Sequence, residues 1–172
     1  MNYSSIKQCD TANGPGVRTS LFVSGCTNYC KGCFNPETWD FNYGKPFTDD
    51  TMDKILQYLG ESFISGFTIL GGDPLHEINA PTVMDICQIV KEKYPEKSIW
   101  VYTGYLIEDL IKNPNTRDTL NYIDVLVDGP YVEEKNDLHL RFRGSSNQRI
   151  IDVQNTLLNY KDTIYLYTLK EE

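Results

Sequence analysis

Four apolar runs in this chain each break off at a glycine: TSLFVSG (19–25), GFTILGG (66–72), SIWVYTG (98–104) and IDVLVDG (123–129). Their β-branched and aromatic residues read as strands. Helical patterns lie between them. Met52, Ile55, Leu56 and Leu59 recur at i, i+3, i+4, i+7 behind a capping Thr48. Val83, Ile86, Cys87 and Val90 repeat that spacing, with Pro81 tolerated in the first turn. Leu106, Ile107, Leu110 and Ile111 make a short helix that stops before Pro114. Strands alternating with helices imply parallel pairing through right-handed crossovers. Too few strands are present to close an eight-stranded barrel. The expected fold is therefore α/β, a partial, open (β/α) barrel with parallel strands in a single domain over 1–172. An open doubly wound sheet is the competing arrangement. RIIDV (149–153) and TIYLYTL (163–169) also have strand character, without an assigned partner.

The turns that follow the four strands are SGCTNYCKGC, GGDPLH, TGY and DGPY. Ligands of parallel α/β proteins bind at the carboxyl ends of strands, where such loops converge. The unusual residues of the chain are therefore expected on one rim.

Cys26, Cys30 and Cys33 stand in the first of these turns at C-x3-C-x2-C spacing, with no fourth cysteine nearby. Thiolates select zinc, copper(I) or iron–sulfur clusters. A structural zinc site is closed by four protein ligands, usually two close pairs, and no second pair exists here. Cys87 lies on the apolar stripe of its helix and reads as a small hydrophobe. Cys9 reads as a free thiol or an auxiliary ligand, and His76 and His139 as polar loop residues. A [4Fe–4S] cube on three thiolates leaves one iron open, a defect for electron transfer and a vacancy for catalysis.

Net charge decides between partner classes. At −8 over 172 residues the chain lacks the basic surface that nucleic acid or an anionic membrane requires. No apolar run approaches a membrane span, and MNYSSIKQCD lacks a signal-peptide pattern, so a cytoplasmic setting is expected. There, five cysteines point to ligands or free thiols rather than disulfides.

The C-x3-C-x2-C triad resembles that of the radical S-adenosylmethionine enzymes. The resemblance implies that Cys26, Cys30 and Cys33 hold one [4Fe–4S] cluster and that S-adenosylmethionine occupies the open iron through its amino and carboxylate groups. The reduced cluster would then cleave the sulfonium to a 5′-deoxyadenosyl radical. Lys31, Gly32, Phe34 and Asn35 shape the loop, and Phe34 either shields the cluster and adenine or packs in the core. GGDP (71–74), directly after a strand, is similar to the glycine-rich element that contacts the cofactor's amino group. Gly72 is the first candidate, with Gly71 and Asp73 beside it; Asp73 stands where a glutamate is common. The expected cofactor contacts are thus Gly32, Cys33, Phe34, Gly71, Gly72 and Asp73. Tyr102, Thr103, Gly104 and Tyr105 are candidates for the adenosine pocket, with strand packing as the alternative.

NGPGVRTSLFVSGC, GGDPLH, IWVYTGY, VLVDGPY and RFRGSSNQRIIDV, taken together, resemble the glycyl-radical activases that serve anaerobic ribonucleoside-triphosphate reductase. The match runs over 1–153 and leaves 154–172 unassigned. It implies a protein substrate, the reductase, which an open-mouthed chain of this size can accommodate, and hydrogen abstraction from one of its glycines. Reduced flavodoxin or ferredoxin is the implied electron donor. Arg18 is expected at the partner-facing mouth pairing a carboxylate, or in a tight turn. Arg141, Arg143 and Arg149 form the main basic cluster, read as partner docking, a hold on the cofactor carboxylate, or a solvated hairpin.

Overall fold

The computed structural model describes residues 1–159 and 163–169. Among them, seven strands form one sheet: β1 (Asn2–Asp10), β2 (Val17–Val23), β3 (Lys45–Pro46), β4 (Ile64–Gly71), β5 (Ser98–Tyr102), β6 (Val125–Asp128) and β7 (Arg149–Asp152). Their order is β3-β1-β2-β4-β5-β6-β7. The central strands β2, β4, β5 and β6 run parallel. β1, β3 and β7 are antiparallel additions at the two sides. The four expected strands are thus the parallel centre, and the sheet as a whole is mixed.

Five α-helices lie among the described residues: α1 (Asp49–Leu59), α2 (Ala80–Lys93), α3 (Ile107–Lys112), α4 (Pro114–Leu120) and α5 (Val153–Leu158). Thr48 caps α1 as expected: it is extended, and its N–H donates to Thr51 Oγ1 at 3.4 Å. α4 starts on the proline that ends α3, because a first-turn proline needs no N–H and Asn113 caps the Asn115 N–H at 3.0 Å.

Register explains how the sheet's two faces differ. Leu21, Ile69, Val101, Leu126 and Ile151 are cross-strand neighbours in one row, and all are fully buried. With strand period two, this row faces one side. Met52, Ile55, Leu59, Val83, Ile86, Cys87, Val90, Leu110 and Leu120 from the helices join the same core. Each buried aliphatic contributes about 2 kcal/mol over an exposed one. The adjacent row, Ser20, Thr68, Trp100 and Val125, faces the other way. There Trp100, Val125, Val127 and Ile150 form a smaller cluster with Tyr102, Phe142 and Tyr167. A doubly wound sheet would carry helices on both faces; here the helical residues join one core. The sheet remains open, with β3 and β7 at opposite edges.

Segment 163–169 adds a single bridge, Ile151 to Leu166, rather than the strand its sequence suggested. Tyr167 N–H donates to Ile150 O at 2.8 Å, and its ring meets Trp100 edge-on at 5.4 Å.

Arg18 departs from its expectation. It is 1% exposed and has no carboxylate partner among the described residues. Nε donates to Thr68 Oγ1 at 2.7 Å, and Nη2 to Phe67 O and Ser98 O at 2.8 Å each. Nη1 reaches Ser98 Oγ at 3.1 Å, and the guanidinium lies 5.5 Å from the Trp100 ring centre. Burial brings its pKa down to about 10. Arg18 therefore bolts the starts of β2, β4 and β5 together beneath the sheet. Arg18→Met should leave the Phe67 and Ser98 carbonyls without these donors and lower stability by about 3 kcal/mol in urea unfolding.

Candidate cluster and cofactor pocket

The four strand-end turns meet at one cavity of about 590 Å³. Its lining takes Cys26, Cys30 and Cys33 from the turn after β2, Gly71 and Gly72 from that after β4, Thr103 and Gly104 from that after β5, and Gly129 from that after β6. The rim expected from the sequence is present. Volume and an aromatic-rich lining that includes Phe34, Trp39, Tyr102, Tyr131 and Phe142 suit a small organic ligand.

The cysteines are the only thiol or imidazole groups in that lining. Cys26 is buried, and its Sγ accepts the Asn28 N–H at 3.5 Å. Cys33 N–H donates to Cys30 O at 3.1 Å, closing the turn between them. Burial pushes the Cys26 thiol up to about 11 and raises that of Cys30, which the Tyr131 N–H partly offsets. Lys31, the cation beside them in sequence, is held away by Glu133 at 2.8 Å. Burial disfavours the thiolates of Cys26 and Cys30, and a positively charged core would offset that cost by binding them in that form. Among the described residues, no three His, Cys, Asp or Glu side chains are grouped to hold a single metal ion. One zinc ion would draw all its sulfurs to about 2.3 Å from one point, whereas a cube spaces them over separate irons. The donor set fits a cluster better than a mononuclear ion. Cys9 is exposed on β1, and Cys87 is buried on α2 with its thiol pushed up to about 12; neither lines the cavity.

Phe34 is 71% exposed and packs on Tyr131 at 5.5 Å, so it belongs to the mouth and not the core. Tyr102 lines the cavity while its hydroxyl donates to Phe142 O at 2.9 Å; Tyr105 lines a separate cavity with His76 and Asp109. Two expected contacts lie outside the lining. Gly32 instead packs against Glu133, whose Oε1 stands 2.7 Å from where a Cβ would be. Asp73 is 1% exposed and accepts four hydrogen bonds: Leu75 N–H and Thr103 Oγ1 on Oδ1, Asn28 Nδ2 and Gly104 N–H on Oδ2. Burial pushes its carboxyl up, and those donors counter only part of the rise.

The glycine pair has a tighter constraint than the sequence suggested. Gly71 has φ +112°, and a Cβ on Gly72 would stand 2.6 Å from Gly25 O. The close approach at Gly72 is to the backbone that begins the cysteine turn. Asn79, which no motif singled out, donates to Ser24 O and Asp73 O across the same junction.

The basic cluster is divided. Arg149 is clamped by Glu108 at 2.7 and 2.8 Å and by Asp128 at 2.9 Å, so it is spent inside the fold rather than on docking. Arg141 lies over Phe142, and Arg143 lines the cavity. Gln148, read at first only as part of a basic motif, ties the 129–148 loop: its amide donates to Gly129 O at 3.1 Å and accepts the Gly144 N–H at 2.9 Å. Its signal in the sequence is a long polar side chain between the turn RGSSN and the strand RIID.

Two outcomes follow. Gly72→Ala should displace the cysteine turn, so iron retained after anaerobic reconstitution falls together with cofactor affinity. Unchanged iron with weakened affinity would show that the contact is to ligand alone. Arg149 holds the Glu108 carboxyl below its ordinary 4.5. Because the folded value is depressed, the stabilisation is complete above about pH 4.5 and is lost as pH falls through the folded value. Glu108→Gln should therefore flatten the acid limb of stability measured by urea unfolding from about pH 7 to pH 3.

Residues 12–151 match the family model described as a 4Fe-4S single cluster domain. A protein of Haemophilus influenzae is 45% identical over 152 residues, covering 87% of this chain and 97% of its own. One from Enterobacteria phage T4 is 43% identical over 150 residues, covering 87% and 93%. One from Escherichia coli K12 is 43% identical over 150 residues, covering 86% and 96%. All three are named anaerobic ribonucleoside-triphosphate reductase-activating protein. At this identity over nearly the full length of those relatives, the chain belongs to the anaerobic ribonucleoside-triphosphate reductase-activating protein family.

Proposed function

We propose that this chain activates an anaerobic ribonucleoside-triphosphate reductase by generating a glycyl radical on it, as a radical S-adenosylmethionine oxidoreductase. The observation that carries the reading is the meeting of the three cysteines and the Gly71–Gly72 turn in one cavity, within a family whose relatives are named as activators. Cys26, Cys30 and Cys33 would hold a [4Fe–4S] cluster, and Gly71 and Gly72 would take the amino end of S-adenosylmethionine. When bound, cluster and cofactor together supply one-electron reductive cleavage of a carbon–sulfur bond, the source of hydrogen abstraction.

The protein's share is binding, orientation and exclusion of water. Cys33 and Phe34 border the cofactor space, and Gly32 and Asp73 act on it through Glu133 and through the buried hydrogen bonds described above. Thr103 and Gly104 line the cavity beside the cysteine turn, with Gly104 lying against Asn28. Tyr29, Phe34 and Leu138 are 62, 71 and 90% exposed near this region, an apolar surface suited to a protein substrate rather than to a sealed metabolite site. One-sided helix packing supports reading the sheet as a partial radical-S-adenosylmethionine barrel, with 1–172 as one domain. A cytoplasmic, oxygen-free setting and a reduced flavodoxin or ferredoxin as donor complete the proposal. No described helix is long and apolar enough to cross a membrane.

Electron paramagnetic resonance of an anaerobic mixture of this protein, the reductase, S-adenosylmethionine and reductant should show a glycyl doublet that is absent without this protein. Cys30→Ala should lose the cluster absorbance and the doublet while keeping its far-ultraviolet dichroism. A colourless protein with stoichiometric zinc after anaerobic purification would overturn the reading.

A further inference from the structure

Among the described residues, Arg143 is the one Lys, Arg or His side chain in the lining of the cavity. Its Nη1 donates to Gln148 O at 2.6 Å, while Nε and Nη2 meet no acceptor among the described residues. The one carboxylate in the lining, Asp137, makes no ion pair with it and is turned to His139, accepting that residue's N–H at 2.9 Å and facing its ring nitrogen. Arg143 therefore brings an uncompensated positive charge, with N–H donors to spare, to a cavity lined mainly by apolar, aromatic and glycine residues.

Its backbone is well fixed. Gly144 and Ser145 donate to Gln148 Oε1 at 2.9 and 3.2 Å, and the Gln148 amide is fastened to Gly129 O. A Cβ on Gly144 would stand 3.1 Å from the Tyr131 ring, and that ring packs at 5.5 Å on Phe34, the residue after Cys33. The loop that carries the cation is thus wired to the cysteine turn. A guanidinium in a cavity of low polarity recognises a planar anion through paired N–H donors, and most strongly a carboxylate.

We propose that Arg143 binds the α-carboxylate of the amino-acid-bearing ligand taken by this cavity, and so selects the carboxylated cofactor over its decarboxylated form. This rests on the reading above, in which that ligand is S-adenosylmethionine. It separates the three arginines of RFRGSSNQR: Arg149 is structural, Arg141 stacks on Phe142, and Arg143 faces the ligand.

Equilibrium dialysis on anaerobically reconstituted protein tests the assignment without relying on turnover. The probes are S-adenosylmethionine and decarboxylated S-adenosylmethionine. Arg143→Gln should weaken binding of the first by about 10- to 100-fold and leave the second unchanged. Arg143→Lys, which keeps charge without the fork, should fall between. Iron content and thermal midpoint equal to wild type would show that the variants are folded and loaded. Equal weakening of both probes would mean that Arg143 only supports its loop, and wild-type affinity of Arg143→Gln for both would mean that it does not touch the ligand; either overturns the proposal. If wild type itself binds neither probe, the cofactor reading fails first, and the arginine assignment falls with it.

Discussion

A buried carboxylate holds the working end of this protein together. Asp73 sits in the turn after β4, and its four acceptor contacts reach the cysteine turn through Asn28, the turn after β5 through Thr103 and Gly104, and its own turn through Leu75. Its N–H donates in addition to Gly25 O at 2.8 Å. An ionised carboxylate taken out of water costs several kcal/mol unless its lone pairs are filled, and here four donors fill them. A hydrophobic residue would remove that cost but would leave the Gly104 and Leu75 N–H groups and the Asn28 amide without their acceptor. The charge is kept because three separate loops need one rigid reference point.

The opposite end of the sheet repeats the device with the other sign. Arg18 distributes its donors over Thr68, Phe67 O, Ser98 O and Ser98 Oγ, all near the starts of parallel strands. Trp100 lies against the guanidinium and is itself met by Phe142 and Tyr167. Between these two buried charges the parallel strands are held in register by the aliphatic row from Leu21 to Ile151. The cavity thus rests on a floor fixed from below and a rim fixed from above, and this rigidity suits a site that must hold its ligand in one geometry.

Much of this was legible in the chain because period and punctuation agree. Four strands ended in glycine turns, and helix spacing lay between them, so the parallel centre and the rim followed. β1 was not legible: NYSSIKQCD is only partly buried and its polar residues mask the alternation. The antiparallel edge β7 was read as a strand, RIIDV, but without a partner, since element order alone carries no information on the direction of flanking strands. At the site, the cysteines were readable from spacing, because a ligand set must be chemically specific. Asn28, Asn79, Gln148 and Glu133 were not, because each acts through a partner far away in sequence. Arg18 and Arg149 were misplaced because charge alone suggests surface, whereas hydrogen-bond acceptors supplied by tertiary structure make burial affordable.

An open sheet keeps two unfinished margins, and unpaired margins invite other chains to polymerise on them. Here one margin is β3, just Lys45–Pro46, where the proline has no N–H to offer and the lysine brings charge. At the other, Ile150 O and the Asp152 N–H are already taken by Tyr167 and Tyr165 of the same chain. The molecule can therefore leave its sheet open at both margins without presenting a template for fibre growth.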